Sequence, residues 1–90
     1  NLLFQAANYY YSTNRDFKQA IKWLLDAEKL NPQNFHYPNL RQKIASENKD
    51  YASAIEAAKR AVSLADKEKM KKTIETLNNK IASWELLLKK

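Results

Sequence analysis

The apolar residues of this chain recur every three or four positions, which is the spacing that places them on one face of an α-helix. The pattern predicts four helices of ordinary length followed by one long helix. Four of them are predicted at about Leu2–Thr13, Phe17–Leu30, Tyr51–Ala65 and Lys67–Leu88. The third helix in the chain is predicted to begin near Tyr37 and to end at Asn48. With no glycine and only two prolines, the chain is expected to be all-α with short connections.

A block of sequence recurs at a constant shift and without a gap, since Asn14–Ile21 comes back as Asn48–Ile55. Both copies keep an asparagine, a basic residue, an aspartate, an aromatic residue and an Ala-Ile pair in register. This period is typical of arrays of helix-turn-helix repeats. The asparagine of each copy is predicted to take the left-handed conformation that closes one helix, and Asp16 and Asp50 are predicted to cap the next.

The last segment carries one unbroken apolar stripe. Its members are Met70, Ile74, Leu77, Ile81, Trp84 and Leu88. Because the stripe passes through Asn78-Asn79 without interruption, we expect a single long helix and not a third hairpin. This helix is predicted to pack on the last hairpin and close the array. The alternative is a coiled-coil seam that joins two copies of the chain as a homodimer.

These features resemble the tetratricopeptide repeat family, whose repeat has the same period as the recurring block. In the first repeat, the residues that carry the resemblance are Ala20 and Ala27 at the small positions, Tyr11 at the aromatic position, Leu24 at the bulky apolar position and Pro32 at the close of the repeat. In the second repeat they are Ala54, Ala58 and Ala61 at the small positions. The resemblance implies a right-handed superhelix of two helical hairpins in a single domain. Residues 1–34 form the first repeat, residues 35–66 the second, and residues 67–90 the closing helix.

The second repeat departs from the family pattern in its first helix. Gln42 stands where the family prefers a small residue, and Pro38 stands where it has a large aromatic one. The run from Ala6 to Glu85 also resembles the C-terminal repeat segment of an uncharacterised bacterial family that carries a β-rich domain upstream. Because Asn1 is not a natural initiator, we expect the sequence to be a fragment of a longer protein.

In this family, the first helices of successive pairs line a concave groove that holds an extended peptide or a helix of a partner. The resemblance therefore implies protein binding in that groove. The matching positions are Leu2, Gln5, Tyr9, Ser12 and Thr13 in the first repeat, and His36, Asn39, Lys43, Ser46 and Glu47 in the second. Tyr9 is the first candidate anchor, because amphipathic aromatics lose little entropy on binding. The alternative is that Tyr9 merely packs on the next helix.

One established use of the fold, the clamp that grips the acidic C-terminus of chaperones, is not expected here. The positions that match its lysines, asparagines and arginine are Gln5, Tyr9, Leu40, Met70 and Ile74. None of these side chains carries the group that the clamp needs.

The net charge of +6 lies mostly at the C-terminal end, where residues 67–90 contain seven lysines and three acidic residues. We expect these lysines to solvate the outer face of the closing helix. The alternative function is single-stranded nucleic-acid binding through a basic helical-repeat surface. We consider nucleic acid the weaker candidate, because two repeats contact few bases. A basic groove would favour nucleic acid, whereas a mixed polar groove with an exposed aromatic would favour peptide.

The sequence offers little for catalysis, cofactors or metals. His36 is the single histidine and the chain has no cysteine, so neither an acid–base pair nor a metal site is expected. No stretch approaches the roughly 20 apolar residues that a membrane-spanning helix needs, so no membrane insertion is expected. Cysteine content gives no compartment for this chain.

Overall fold

The computed structural model describes residues 2–13 and 16–89, and this part of the chain consists of five α-helices without a β-strand. The helices are α1 (Leu2–Ser12), α2 (Phe17–Leu30), α3 (His36–Glu47), α4 (Tyr51–Leu64) and α5 (Lys71–Leu88). The all-α prediction is therefore confirmed. The recurrence in the sequence corresponds to structure, because α3 follows α1, and α4 follows α2, at the same shift as the repeated block.

The helices are stacked in chain order. Each packs against the next one in sequence, and α1 also contacts α3. Because the connections are short, α1 and α2 form one antiparallel hairpin and α3 and α4 form the second. The long α5 packs on α4 as a single helix that runs through Asn78 and Asn79.

Aspartates cap the second helix of each hairpin. The Asp16 carboxylate accepts hydrogen bonds from the backbone N–H groups of Lys18 and Gln19, at 3.1 and 3.2 Å. The Asp50 carboxylate accepts one from the backbone N–H of Ser53 at 3.3 Å. Free amides of the first turn are satisfied in this way, so the predicted N-caps are confirmed.

The turn between α3 and α4 differs from the prediction in one residue. Asn48 has a φ of −97°, and the left-handed residue is Lys49, with a φ of 60°. The Lys49 N–H donates to the Ser46 carbonyl at 3.1 Å, and the Asp50 N–H donates to the Ala45 carbonyl at 2.9 Å. This is a Schellman motif, in which the left-handed residue follows the C-cap and is not the C-cap itself. The corresponding prediction for Asn14 lies outside the described residues.

Replacing Lys49 with glycine is expected to raise the free energy of unfolding by about 0.5–1 kcal/mol. A left-handed conformation costs a non-glycine residue about 1–2 kcal/mol, and the greater freedom of glycine in the unfolded chain cancels part of that gain. Urea unfolding followed by circular dichroism measures the change. The control is Lys22→Gly in the interior of α2, which is expected to lower stability by about 1 kcal/mol. A loss of stability in both variants would contradict the strain at Lys49.

The start of the last helix was also predicted wrongly. The helix begins at Lys71 and not at Lys67, because residues 66–70 form a separate turn. The Asp66 carboxylate accepts hydrogen bonds from the backbone N–H groups of Glu68 and Lys69, at 3.0 and 3.2 Å. The Met70 N–H then donates to the Asp66 carbonyl at 2.8 Å. A side-chain acceptor that turns the chain locally competes with helix formation, which delays the start of α5.

Small residues dominate the buried positions of α2 and α4. The alanines of α2 and α4 that have no solvent exposure are Ala20, Ala27, Ala54, Ala57, Ala58 and Ala61. Around them lie two clusters, one between α1, α2 and α3 that includes Leu24 and Ile44, and one between α3, α4 and α5 that includes Leu77 and Trp84. Close helix crossings leave no room for larger side chains, so alanine at these positions permits the stacking.

The central helix α3 is also the most polar one in its buried positions. Arg41 is 4% exposed and lies between Glu28 of α2 and Glu56 of α4. Its guanidinium donates to Glu28 at 2.7 and 3.1 Å, and to Glu56 at 2.8 and 3.1 Å. Burial alone would lower the pKa of Arg41, but the hydrogen bonds and charges of the two glutamates outweigh it and raise the pKa above its usual value.

Candidate functional site

A groove of about 440 Å³ lies between the first helix of the second hairpin, α3, and the closing helix, α5. We call it the α3/α5 groove. The residues that line it are Asn39, Gln42, Lys43, Lys72, Thr73, Thr76, Leu77 and Lys80. Seven of these eight side chains are polar, so the groove differs in character from the apolar contacts beneath it.

Helical spacing explains why these residues share one groove. On α3, Asn39 and Lys43 are four positions apart and Gln42 lies between them. On α5, Lys72, Thr76 and Lys80 form a row with a step of four positions, so they lie along one face. Leu77 on the neighbouring row is 2% exposed and packs into the cluster with α4. This buried leucine anchors α5 in the orientation that turns the polar row towards α3.

Gln42 is the unusual member of the groove. It is 1% exposed, and its Nε2 donates a hydrogen bond to Oδ1 of Asn39 at 3.1 Å. Its Oε1 is buried and accepts no hydrogen bond from any residue that the structure describes. An unpaired buried acceptor typically costs about 1–3 kcal/mol of stability. The unpaired oxygen is therefore a cost to the fold, and it is shielded from solvent.

The groove carries a concentrated positive charge. Lys43, Lys72 and Lys80 line it, and its described lining contains no carboxylate. None of the three lysines forms an ion pair with another residue in the described part of the chain. Lys72 also belongs to the first turn of α5, which contains no acidic residue and has no side-chain cap at Met70. The positive end of the helix dipole therefore adds to the lysine charges.

The ten residues predicted from the sequence are divided among several places in the described structure. The α3/α5 groove contains two of them, Asn39 and Lys43. The Ser46 hydroxyl is turned onto its own helix, where it donates to the Lys43 carbonyl at 3.0 Å. Five of the ten lie at solvent-exposed positions outside the lining of this groove, on α1, just after α1 or at the start of α3. They are Leu2, Gln5, Tyr9, Thr13 and His36.

The predicted anchor Tyr9 is separate from the groove. Its side chain is 52% exposed on α1, and its ring centroid lies 6.3 Å from that of Tyr10. Its carbonyl accepts hydrogen bonds from both the backbone N–H and the hydroxyl of Thr13, at 3.0 and 2.8 Å. The exposed aromatic and the lysines thus lie at different places on the molecule.

The last two predicted residues, Ser12 and Glu47, line a second cavity, of about 460 Å³, at the end of the first hairpin where α1 ends and α2 begins. Aromatic rings from Tyr10, Tyr11 and Phe17 form much of its wall. Burial raises the pKa of the Tyr11 hydroxyl, and a hydrogen bond to Glu47 and the negative charge of that residue raise it further. Glu47 is therefore a hydrogen-bond partner of a tyrosine at the end of α1.

Sequence reasoning did not assign Gln42 or any residue of α5 to the groove. In the sequence, Gln42 stands out only as a departure from the family pattern, and the lysines of residues 67–90 are expected on an outer face. The structure places Lys72 and Lys80 on the wall opposite α3. The row Lys72, Thr76 and Lys80 is visible in the sequence as polar residues four apart, but its direction depends on how α5 packs.

The remaining chemistry of the described residues is sparse. The ring of His36 lies edge-on to Phe35, at 5.6 Å between centroids, and its backbone N–H donates to Asn34 at 2.9 Å. Residues 2–13 and 16–89 contain no group of three side chains suited to hold a metal ion. Within the same ranges, no helix has both the length and the apolar character that crossing a bilayer requires.

A comparison of the chain with protein-family models, with curated proteins and with solved structures found no match.

Proposed function

We propose that this chain is a tetratricopeptide-type repeat module that binds a peptide segment of a partner protein in the α3/α5 groove. Two features support the repeat assignment. Matching helices recur at the family's period, and several of the fully buried alanines of α2 and α4 lie at the family's close-contact positions. We further propose that the module has no catalytic role, because its histidine is exposed and lies outside the groove.

The observation that carries the proposal is the composition of the groove. Stacked helices normally fill the space between them with apolar side chains, yet α3 and α5 present polar groups to each other across an open cavity. The amide of Asn39 and the hydroxyls of Thr73 and Thr76 are suited to hydrogen bonding with a peptide backbone. Such a surface offers a ligand directional contacts as well as the aliphatic parts of its lysine and threonine side chains.

A synthetic library of random-sequence peptides, probed with the intact chain, tests this function. We expect a subset of peptides to bind, and Thr76→Trp to abolish their binding, because a large ring at the centre of the α5 row fills the groove. Tyr9→Ala is the matched control on α1 and is expected to leave binding unchanged. Peptides that bind both variants equally well would remove the α3/α5 groove from consideration.

Single-stranded nucleic acid is the second candidate, and one observation favours it. Three lysines line the groove without internal carboxylates, and such a channel attracts phosphates. Proteins of this kind also stack bases on aromatic side chains, and the described lining of the groove contains no aromatic residue. The positive charge of the groove meets the criterion that favours nucleic acid, but a lining without an aromatic residue lacks the stacking surface that such binding uses, so we keep the peptide as the first proposal.

A further inference from the structure

We propose that the cavity at the end of the first hairpin binds a trimethylammonium group, the cation that choline and a trimethyllysine side chain share. We call it the aromatic cavity, and the residues that define it are Tyr10, Tyr11, Phe17 and Glu47. Its lining has no residue in common with that of the α3/α5 groove. The inference therefore goes beyond the proposed function and does not depend on it.

Three aromatic side chains form much of the wall of this cavity. Tyr10 and Tyr11 lie near the end of α1, and Phe17 is the first residue of α2. Each is half-buried and packs against the apolar cluster between α1, α2 and α3, which restricts the rings before a ligand arrives. The Tyr10 ring is also in edge-on contact with Trp23, at 4.8 Å between centroids. A volume of about 460 Å³ lies within the range of small-ligand sites.

The charge of the ligand follows from Glu47, the one charged residue in the described lining. No ion pair that the structure records among the described residues includes it, and Lys43 and Lys49, the basic residues nearest to it in sequence, are outside the lining. Glu47 and Asn48 are exposed members of the lining, so a ligand can enter from solvent. A carboxylate beside aromatic rings attracts a cation, because the faces of the rings carry partial negative charge.

The hydroxyl of Tyr11 supports this arrangement. Its pKa is raised by burial first, and then by the hydrogen bond to Glu47 and the negative charge of that residue. The phenol therefore keeps its proton and donates to the carboxylate, which remains the acceptor and the negative charge of the site.

The aromatic walls favour a methylated cation over a primary ammonium. A primary ammonium is compact and strongly hydrated, and it needs acceptors for three N–H donors. A guanidinium brings five such donors. A trimethylammonium group has none and presents methyl groups to the rings, so it loses less hydration when it enters the cavity.

The second hairpin shows that stacking does not require this set of side chains. The residues at the repeat shift from Tyr11, Phe17 and Glu47 are Ala45, Tyr51 and Ile81. Ala45 and Ile81 are buried in the apolar cluster between α3, α4 and α5, and Tyr51 packs against it. The same place in the second hairpin is thus filled by apolar contacts, whereas the first hairpin has an additional ring and a carboxylate around open space.

The test titrates choline into the intact, isotope-labelled chain and follows the amide resonances by NMR. The matched control is the neutral carbon analogue of choline, in which a tert-butyl group replaces the trimethylammonium group and only the charge is lost. We expect choline to bind about tenfold more tightly than the analogue. The shifts it causes are expected at Ser12, Glu47 and Asn48 and not in the α3/α5 groove.

Two substitutions locate the site. Phe17→Leu removes an aromatic wall and is expected to weaken choline binding by about twofold to thirtyfold, the range of one cation–π contact. Phe35→Leu is its control, because Phe35 is also half-buried but lies outside the lining. Glu47→Gln is expected to weaken binding by about twofold to fivefold, and Glu75→Gln at an exposed position of α5 is expected to leave it unchanged.

Circular dichroism establishes that each variant remains folded. Phe17→Met serves the same purpose if the leucine variant does not fold, because methionine also lacks an aromatic ring.

A short peptide with one trimethyllysine identifies the source of the cation. It is compared with choline and with the same peptide carrying unmodified lysine or arginine. Tighter binding of the trimethyllysine peptide than of choline would support the proposal with a modified protein as the source. Equal or weaker binding of that peptide would support it with a small molecule as the source.

Each contrary result removes a different part of the proposal. Equal binding of choline and its neutral analogue, or no binding of choline and the trimethyllysine peptide, would overturn the cation site. Binding of the lysine or arginine peptide as tight as that of the trimethyllysine peptide would overturn the methylated group. Equal affinities of Phe17→Leu and Phe35→Leu would remove the aromatic cavity from consideration. None of these results bears on the α3/α5 groove, which Thr76→Trp tests separately.

Discussion

Replacing Arg41 with alanine is expected to lower the free energy of unfolding by about 3–5 kcal/mol, because it leaves a buried carboxylate without its partner. The Glu28 side chain is only 14% exposed, and the Arg41 guanidinium is its ion-pair partner in the described structure. Glu56 is 63% exposed and can turn to water when the arginine is removed. We therefore expect most of the loss to come from Glu28.

The size of this effect follows from where Arg41 lies. It stands in the middle of α3 and joins α2 to α4, so a single side chain connects both hairpins. For a chain of 90 residues, a total stability of roughly 5–13 kcal/mol is expected from about 0.05–0.15 kcal/mol per residue. A loss of this size removes a large share of the stability of the stack.

Urea unfolding followed by far-ultraviolet circular dichroism measures the effect. Lys59→Ala is the control, because Lys59 and Glu85 form an exposed pair at 3.7 Å that is expected to contribute about 0–1 kcal/mol. Adding Glu28→Gln to Arg41→Ala should recover part of the loss, since it removes the unpaired charge. Equal stabilities of Arg41→Ala and Lys59→Ala would show that the buried cluster does not couple the hairpins.

The sequence predicted α2 and α4 well for a physical reason. Their apolar residues follow the helical period, their first turns have an aspartate cap, and Asn31-Pro32 ends the first of them. These signals are local, so neighbouring residues alone determine them. The predicted bounds of α2, Phe17–Leu30, agree with the structure at both ends, and those of α4 differ from it by one residue.

The central helix α3 was harder to assess because its burial depends on distant residues. Its sequence is polar and matches the family pattern poorly, yet Arg41 and Gln42 are among its most buried side chains. Arg41 is stabilised by glutamates 13 and 15 positions away in sequence. Hydrophobic periodicity does not detect a buried polar residue whose partners lie on other helices. For this reason α3, which connects the two hairpins through Arg41, matched the family pattern poorly in the sequence.

The candidate site was incompletely predicted for a related reason. Asn39 and Lys43 lie in the α3/α5 groove, and both were on the predicted surface. The opposite wall consists of residues on α5, whose direction is fixed by the burial of Leu77, Ile81 and Trp84 against α4. That orientation is a property of tertiary packing. The sequence alone therefore indicated the charge of residues 67–90 without indicating that part of it faces α3.

Trp84 is the largest side chain that α5 buries against the second hairpin, and its loss tests whether this helix closes the stack. It is 8% exposed and packs in a cluster with Ala58, Ala61 and Ile81. Without α5, the small residues of α4 would present an apolar surface to water, which a short array tolerates poorly. The described contacts between α4 and α5 thus supply the burial that the closing role requires.

Trp84→Ala is therefore expected to lower the free energy of unfolding by about 3–5 kcal/mol, the usual cost of removing a buried tryptophan. Leu86→Ala, two positions along the same helix and 63% exposed, is the control and should change stability by no more than about 0.5 kcal/mol. Urea titration monitored by far-ultraviolet circular dichroism compares them, since removal of a tryptophan alters the fluorescence signal itself. Truncation before Lys67 extends the test and is expected to give an unfolded or aggregated fragment. A fragment of residues 1–66 that stays monomeric and unfolds cooperatively would show that the hairpins do not need α5.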